Sequence, residues 1–138
     1  MQNRIGWDEY FIEIVKLISK RASCPRKQVG ALIVKNNKII SSGYNGSPKG
    51  MEHCSDVGCL IENNHCIRVI HAEANALLQA GKEAEGSKLY CTLLPCETCY
   101  KLCIQAGIKE IIYLEDYNKE DIDYWIQNGG IKITKWKN

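Results

Sequence analysis

The chain has 138 residues, of which 45% are hydrophobic and 25% charged, and its formal net charge is +2 at pH 7. These values are typical of one folded domain over residues 1–138, and they exclude a disordered or low-complexity chain. There is no basic stripe for nucleic acid, no apolar run long enough for a bilayer and no secretory signal pattern, so we expect a soluble cytoplasmic protein.

Hydrophobic periodicity predicts strands and helices in alternation after an N-terminal helix and a hairpin. The predicted elements are a helix over 7–21, strands over 29–34 and 38–44, a helix over 69–80, a strand over 87–93, a helix over 97–106, a strand over 110–114, a helix over 120–128 and a strand over 130–136. This order predicts an α/β protein with three layers, α/β/α, around a mixed five-stranded sheet that is mostly parallel in its second half. The long segment 45–68 is predicted to be a functional loop.

Two short motifs carry the chemistry: His71-Ala72-Glu73, and Cys96-x-x-Cys99 preceded by proline. A Cys-x-x-Cys pair at a loop-to-helix junction can offer both thiolates to a metal ion, with His71 as a third ligand. Three protein ligands leave tetrahedral zinc one position for water, whose pKa zinc lowers to about 7. Glu73 would then lie beside the metal, free to move protons.

Each of these residues has another interpretation when it is considered alone. The cysteine pair also fits a redox dithiol or half of a zinc knuckle. His71 also fits a hydrogen-bonded core histidine, and Glu73 fits a surface charge. The combination is more specific, because His-x-Glu followed by Pro-Cys-x-x-Cys resembles the signature of the zinc-dependent nucleobase deaminases.

Further segments are similar to the deoxycytidylate (dCMP) deaminase family of bacteria and phages. The segments are 29–31, 43–48 and 71–76, and the resemblance covers roughly residues 8–118. It implies a cytidine-deaminase-like fold. It also implies hydrolysis of dCMP to dUMP and ammonia, a reaction that supplies dUMP for thymidylate synthesis.

Catalytic roles are implied by the same resemblance. His71, Cys96 and Cys99 match the ligands of the catalytic zinc, whose hydroxide attacks C4 of cytosine in such enzymes. Glu73 matches the carboxylate that takes a proton from the water, gives one to ring nitrogen N3 and helps the amino group leave. The backbone N–H of Ala72 is expected to donate to the carbonyl of the base.

Substrate contacts outside these motifs are also implied. Asn45 matches a position expected to touch the sugar, although Asn-Gly also favours a simple turn. Tyr117 matches a tyrosine expected to stack on the substrate or contact its phosphate, and a core tyrosine is the alternative. Arg26 and Lys49 flank the expected pocket, as candidate ligands of the 5′-phosphate or as solvated surface cations.

The remaining cysteines suggest a second metal site. Without a secretory signal, closely spaced cysteines more often bind metal than form bridges. Four thiolates can close a structural zinc site and stiffen the long loop. The candidates are Cys24, Cys54, Cys59 and Cys66, with His53 and His65 as substitutes. Some members of the family carry a second zinc here, and Cys24 and Cys54 match its positions. Cys91 and Cys103 are expected to be small buried hydrophobes.

Regulation is implied by the family alone. The segment 43–50 has no Walker pattern, so its glycines are weak evidence for a phosphate-binding loop. Many relatives bind dCTP with Mg²⁺ as activator and dTTP as inhibitor at subunit interfaces near this loop, in hexamers. Gly46, Ser47 and Lys49 are the corresponding effector candidates, and we expect a homo-oligomer, with a hexamer favoured.

Three other functions compete with this interpretation. A tRNA adenosine deaminase shares the two motifs, but the segment 43–48, the cysteine-rich loop and the absence of a basic surface argue against it. A free-cytidine deaminase typically has cysteine where His71 stands. A non-catalytic zinc module has no need of Glu73, so that residue distinguishes it from an enzyme.

Overall fold

A computed structural model of the protein describes residues 3–137. Its elements are α1 (Trp7–Ser19), β1 (Gly30–Lys35), β2 (Lys38–Tyr44), α2 (Cys54–Val57), β3 (Ile61–Glu62), β4 (His65–Cys66), α3 (Ala72–Ala80), β5 (Lys88–Leu93), α4 (Glu97–Ala106), β6 (Glu110–Glu115), α5 (Asp123–Asn128) and β7 (Lys132–Lys135). Short 3₁₀ helices cover Gly81–Ala84 and Lys119–Ile122. None of the described helices is both long enough and apolar enough to cross a membrane.

The central sheet has five strands in the order β2-β1-β5-β6-β7. The strand β1 pairs antiparallel with both β2 and β5, whereas the pairs β5–β6 and β6–β7 are parallel. Asn36 and Asn37 form the β1–β2 turn with φ values of 53° and 60°, the left-handed conformation of a type I′ hairpin turn. The predicted mixed five-stranded sheet is therefore confirmed.

The sheet is covered on both faces, as the three-layer prediction requires. The helix α1 buries Phe11, Ile12 and Val15 on one face, against residues of β1, β5 and β6. The larger core lies on the other face, where α3 and α4 pack. Cys91 and Cys103 are fully buried in that core, as expected for small hydrophobic side chains.

A close approach fixes α3 against the edge strand β2. A Cβ atom at Gly43 would lie 2.4 Å from the carbonyl oxygen of Ala72 and 2.7 Å from the backbone nitrogen of Ala76. Only glycine leaves room for the helix at this point. The hydroxyl of Ser41 also donates to the carbonyl oxygen of Ala76 at 2.7 Å. The N-terminal turn of α3 is therefore held directly on the strand.

Most predicted bounds agree with the structure to within two residues, and three predictions differ by more. The segment predicted as a long loop contains α2 and the small antiparallel pair β3–β4, whose turn places Asn63 and Asn64 at φ 51° and 64°. The helix predicted from residue 69 begins only at Ala72, because the backbone of the preceding residue is extended. The predicted helix over 120–128 is divided into a 3₁₀ turn and the short α5.

Candidate functional site

Two helices begin next to each other at the carboxyl ends of the parallel strands β5 and β6. His71 is the residue before α3, and Cys96 is the residue before α4. The backbone N–H of Leu94 donates to the carbonyl oxygen of Glu115 at 2.9 Å, which ties the approach to α4 to the end of β6. Helix N-termini carry partial positive charge, so this end of the sheet favours thiolates and other anions.

The motif residues converge there in a group that we call the helix cluster: His71, Cys96 and Cys99. The Nδ1 atom of His71 lies 3.5 Å from Sγ of Cys96 and 3.4 Å from Sγ of Cys99. With ordinary zinc–ligand bond lengths, a tetrahedral ion separates nitrogen and sulphur ligands by about 3.5 Å. The donor atoms and their spacing therefore fit a zinc ion with three protein ligands.

The two thiols of the helix cluster have pKa values shifted in opposite directions. Hydrogen bonds from Cys99 and then from His71 lower the pKa of the Cys96 thiol to about 4, against the opposing effect of burial. The pKa of the Cys99 thiol is raised, first by its hydrogen bond to Cys96 and then by burial. The hydrogen bond to Cys96 also raises the pKa of His71. A metal ion that binds here would displace protons from this shared set.

Glu73 lies in the first turn of α3 and is only 4% exposed. Burial raises the pKa of its carboxyl to about 7. A buried carboxyl costs free energy unless a neighbouring group or a function compensates, so such residues concentrate at functional sites. A pKa near neutrality lets the group both accept and donate a proton.

The chain that enters α3 is fixed by hydrogen bonds. Gly46 and Ile70 pair through both backbone N–H groups, at 3.2 and 2.8 Å. The side-chain amide of Asn75 donates to the carbonyl oxygen of Tyr44 at 3.0 Å. These bonds connect the loop after β2 to the residue before His71. Ala72 is the first residue of α3, where a backbone N–H has no intrahelical acceptor.

The predicted sugar contact, Asn45, is buried and bonded to the backbone on both sides. Its side-chain oxygen accepts from the N–H of Val29 at 2.7 Å, and its amide donates to the carbonyl oxygen of Lys27 at 2.7 Å. Asn45 thus joins the α1–β1 connection to the loop after β2. The amide nitrogen carries a second hydrogen that these bonds do not use.

The other predicted substrate residues differ in how firmly they are held. Tyr117 is half-buried and packs against the larger core, just beyond the end of β6. Arg26 and Lys49 are exposed. Ser47 has a buried hydroxyl with no hydrogen-bond partner in the described part of the chain. Sequence reasoning did not single out Lys27, whose ammonium lies 4.0 Å from the centroid of the Tyr117 ring.

A second group of thiols, which we call the loop cluster, joins the connection between α1 and β1 to the segment that leads to α3. It consists of Cys24, Cys54, Cys59 and Cys66, whose sulphur atoms all lie within 4.8 Å of one another. The separations are 3.6 Å between Cys24 and Cys59 and 3.5 Å between Cys54 and Cys66. Neither His53 nor His65 belongs to this group. Four thiols at this spacing fit a closed tetrahedral zinc site.

Two thiols of the loop cluster also have pKa values shifted in opposite directions. Burial, with a hydrogen bond to Cys66, raises the pKa of the Cys54 thiol to about 12. Burial opposes ionisation of Cys66 as well, but backbone hydrogen bonds from Arg68 and Leu60 lower its pKa to about 7. Backbone donors aimed at a sulphur atom stabilise the thiolate form that a metal requires.

Comparison with known proteins identifies a family and relatives of similar sequence. The family model described as the cytidine and deoxycytidylate deaminase zinc-binding region matches residues 5–115. The ComE operon protein 2 of Bacillus subtilis is 49% identical over 117 residues, which is 83% of this chain and 62% of that protein. The deoxycytidylate deaminase of Schizosaccharomyces pombe is 41% identical over 96% of this chain and 45% of its own length. The chain thus spans about half to three fifths of these curated relatives.

A solved structure matches over almost the whole fold. It is the crystal structure of dCMP deaminase from the cyanophage S-TIM5 in complex with dCMP and dUMP. The TM-score is 0.82 at 34% sequence identity, and the match covers 99% of each chain.

Proposed function

The chain belongs to the zinc-binding cytidine and deoxycytidylate deaminase family, and we propose that it hydrolyses dCMP to dUMP and ammonia. The observation that carries the proposal is the buried carboxyl of Glu73 on the same helix turn as a ligand of the helix cluster. A structural zinc site has no need of such a group. The cyanophage enzyme with dCMP and dUMP bound supports this choice of substrate.

The ligands and their chemistry follow from the helix cluster. His71, Cys96 and Cys99 would hold one zinc ion, which would supply the Lewis acidity that makes water nucleophilic at neutral pH. Glu73 removes a proton from the attacking water and delivers it to N3 of the cytosine ring. It then takes the remaining proton from the hydroxyl added at C4 and gives it to the amino group, so that the C–N bond breaks, ammonia leaves and C4 keeps a carbonyl oxygen. The N–H of Ala72 donates to the base carbonyl and holds the ring in register with Glu73.

The loop cluster has a different role in this proposal. Its four thiols close a structural zinc site with no position left for water. This second metal stabilises the segment between β2 and α3, which includes Asn45 and the loop that pairs with Ile70. We assign Asn45 to the sugar of the substrate and Tyr117 to its stacking or phosphate contact, and we keep Arg26 as a phosphate candidate.

Regulation and assembly are further parts of the proposal. Gly46, Ser47 and Lys49 form the effector loop, where dCTP with Mg²⁺ activates and dTTP inhibits. The protein acts in the cytoplasm, of a bacterium or of a phage-infected host, as a homo-oligomer with a hexamer favoured. The assignment of the effector loop rests on the similarity of residues 43–50 to the family pattern, and the oligomer follows from the family as a whole.

The test is an ultraviolet absorbance assay of the purified, zinc-loaded chain against dCMP, deoxycytidine, dCTP and adenosine-containing tRNA. We expect conversion of dCMP with release of ammonia. Glu73→Gln should lower turnover about 10³-fold with unchanged zinc content, because it removes the proton carrier and keeps the shape. Glu83→Gln, in the exposed turn after α3, is the matched control.

Two results would contradict the proposal. Turnover of tRNA or deoxycytidine in place of dCMP would reject the substrate and retain the zinc chemistry. No turnover by folded protein that contains zinc, with dCTP and Mg²⁺ also supplied, would reject the enzyme and favour a zinc-dependent binding module.

A further inference from the structure

Lys27 lies at the same end of the sheet as the starts of α3 and α4. It precedes β1, and β1 runs antiparallel to β5, so the start of β1 is level with the end of β5. The N–H of Gly30 accordingly donates to the hydroxyl of Thr92, near the end of β5, at 3.1 Å. Tyr117 follows the end of β6 at the same end of the sheet. Ligands of α/β sheets bind at this carboxyl end of the parallel strands.

The backbone of Lys27 is connected to the helix cluster by a short series of hydrogen bonds. Its carbonyl oxygen accepts from the amide of Asn45, and the next residue, Gly46, pairs with Ile70 through both N–H groups. Ile70 is followed directly by His71. The loop that carries Lys27 is therefore built on the same framework that positions the metal ligands.

The side chain of Lys27 has a defined position and no acidic partner. Its ammonium lies over the Tyr117 ring, 4.0 Å from the centroid, which is a cation–π contact. No ion pair within residues 3–137 includes Lys27. The nearest carboxylate in sequence to Tyr117, that of Asp116, is already paired with Lys135 at 2.8 Å. The charge of Lys27 is thus available to an anion.

We propose that Lys27, held by the ring of Tyr117, is the specificity-determining cation that binds the 5′-phosphate of the substrate. This inference rests on the proposed function, because it names the side chain by which the enzyme would distinguish a nucleotide substrate from a nucleoside. Arg26 and Lys27 are both exposed, but the cation–π contacts found within residues 3–137 include Lys27 and not Arg26. A cation held in place loses less conformational freedom when it binds an anion than a freely moving one does.

The test compares dCMP with deoxycytidine on the zinc-loaded full chain. Lys27→Met keeps most of the aliphatic stem and removes the charge. We expect the preference for dCMP in kcat/KM to fall about 10- to 100-fold, mainly through KM for dCMP, as for the loss of one charge-assisted hydrogen bond. Lys38 is an exposed lysine at the opposite end of the strands, beside the end of β1. The control variant Lys38→Met should therefore keep the wild-type preference.

A binding measurement separates failure of this inference from failure of the proposed function. Calorimetry with dUMP and deoxyuridine reports phosphate recognition even if no substrate is turned over. Weaker dUMP binding by Lys27→Met supports the inference. Equal dUMP binding by wild type and Lys27→Met, or a loss carried by Arg26→Met in its place, overturns it.

Tyr117 is tested as a positioning residue. Tyr117→Leu removes the ring under the ammonium, so it should raise KM for dCMP about 2- to 30-fold and leave KM for deoxycytidine less affected. An equal loss on dCMP and deoxycytidine in Tyr117→Leu, with the melting temperature monitored, would mean that the ring only fills the core. That result would overturn its role in holding Lys27.

Discussion

The two thiol clusters differ in what holds their ligands in place. The ligands of the helix cluster lie at the starts of α3 and α4, two helices whose buried faces form part of the main core. In the loop cluster, Cys54 belongs to a four-residue helix and Cys66 to a two-residue strand. The fold thus positions the donor atoms of the helix cluster, whereas we propose that metal binding by the loop cluster positions the segment that carries it.

The surroundings of the loop cluster explain the difference. Several apolar side chains of this segment point outward and add little to the core. The exposed ones are Met51, Val57, Leu60, Ile61 and Ile67. A segment that buries so little apolar surface needs another source of stability, and metal binding by four thiols can supply it. In the proposed function, the same side-chain type therefore serves catalysis in one cluster and local folding in the other.

The largest expected effect separates the clusters by activity. Cys99→Ser should remove the zinc of the helix cluster and lower dCMP turnover by about 10³-fold or more, because the Lewis acid is lost. Cys54→Ser should remove the other zinc with a smaller loss of turnover. Zinc counting and the absorbance assay on both variants check this. If Cys54→Ser were as inactive as Cys99→Ser, the division of roles would be wrong.

Metal removal should separate the clusters by local stability. After chelation, amide hydrogens of residues 51–67 should exchange on the order of 100-fold faster, because this segment loses its cross-link. Amides of β1 and β5, in the centre of the sheet, should keep their protection. Hydrogen exchange followed by mass spectrometry measures both regions at once. Loss of protection throughout the sheet would mean that the metals hold the whole fold.

Gly43→Ala tests whether packing positions the helix cluster. The added methyl group must displace α3, so we expect a loss of about 1–3 kcal/mol in the free energy of unfolding. Turnover should fall as well, while the zinc of the loop cluster is retained. Gly6→Ala is the control, since a Cβ there meets no atom within 4 Å. Denaturant unfolding gives the energies, and equal energies for both variants would contradict the argument.

The smallest effect concerns a carboxylate outside both clusters. Hydrogen bonds from Lys135 and then Tyr113 lower the pKa of Asp116. A carboxyl whose pKa is lower in the folded state stabilises it at neutral pH, and this contribution is lost as the pH falls through that pKa. Asp116→Asn should therefore be slightly less stable than wild type at pH 7, with the difference vanishing in acid. Thermal unfolding from pH 7 to pH 3 measures this baseline, against which acid release of metal can be judged.

The regular part of the fold was predictable because its signals are local. The helix α4 was predicted with its observed bounds, since apolar spacing and the stop at Gly107 agree. The strands β3 and β4 were missed because two residues are too few for a periodic pattern. A signal was nevertheless present, because Asn63-Asn64 repeats the dipeptide of the β1–β2 turn.

The site was predictable only where a motif carried it. The ligands of the helix cluster stand in short fixed patterns, so their convergence could be inferred before the fold was known. The contact between Lys27 and Tyr117 joins residues far apart in the chain and leaves no local pattern. The fit of Gly43 against α3 is equally invisible in the sequence, since it depends on the backbone of a helix formed by later residues.

One of the two edge strands of the sheet, β7, also bears on how the protein behaves at high concentration. The strand β7 is four residues long, lies at an open edge and has a lysine at each end, Lys132 and Lys135. Another chain that added a strand there would have to bring its own backbone against these two lysines, which are paired with Glu110 and Asp116. A short, doubly charged edge of this kind discourages aggregation through the sheet.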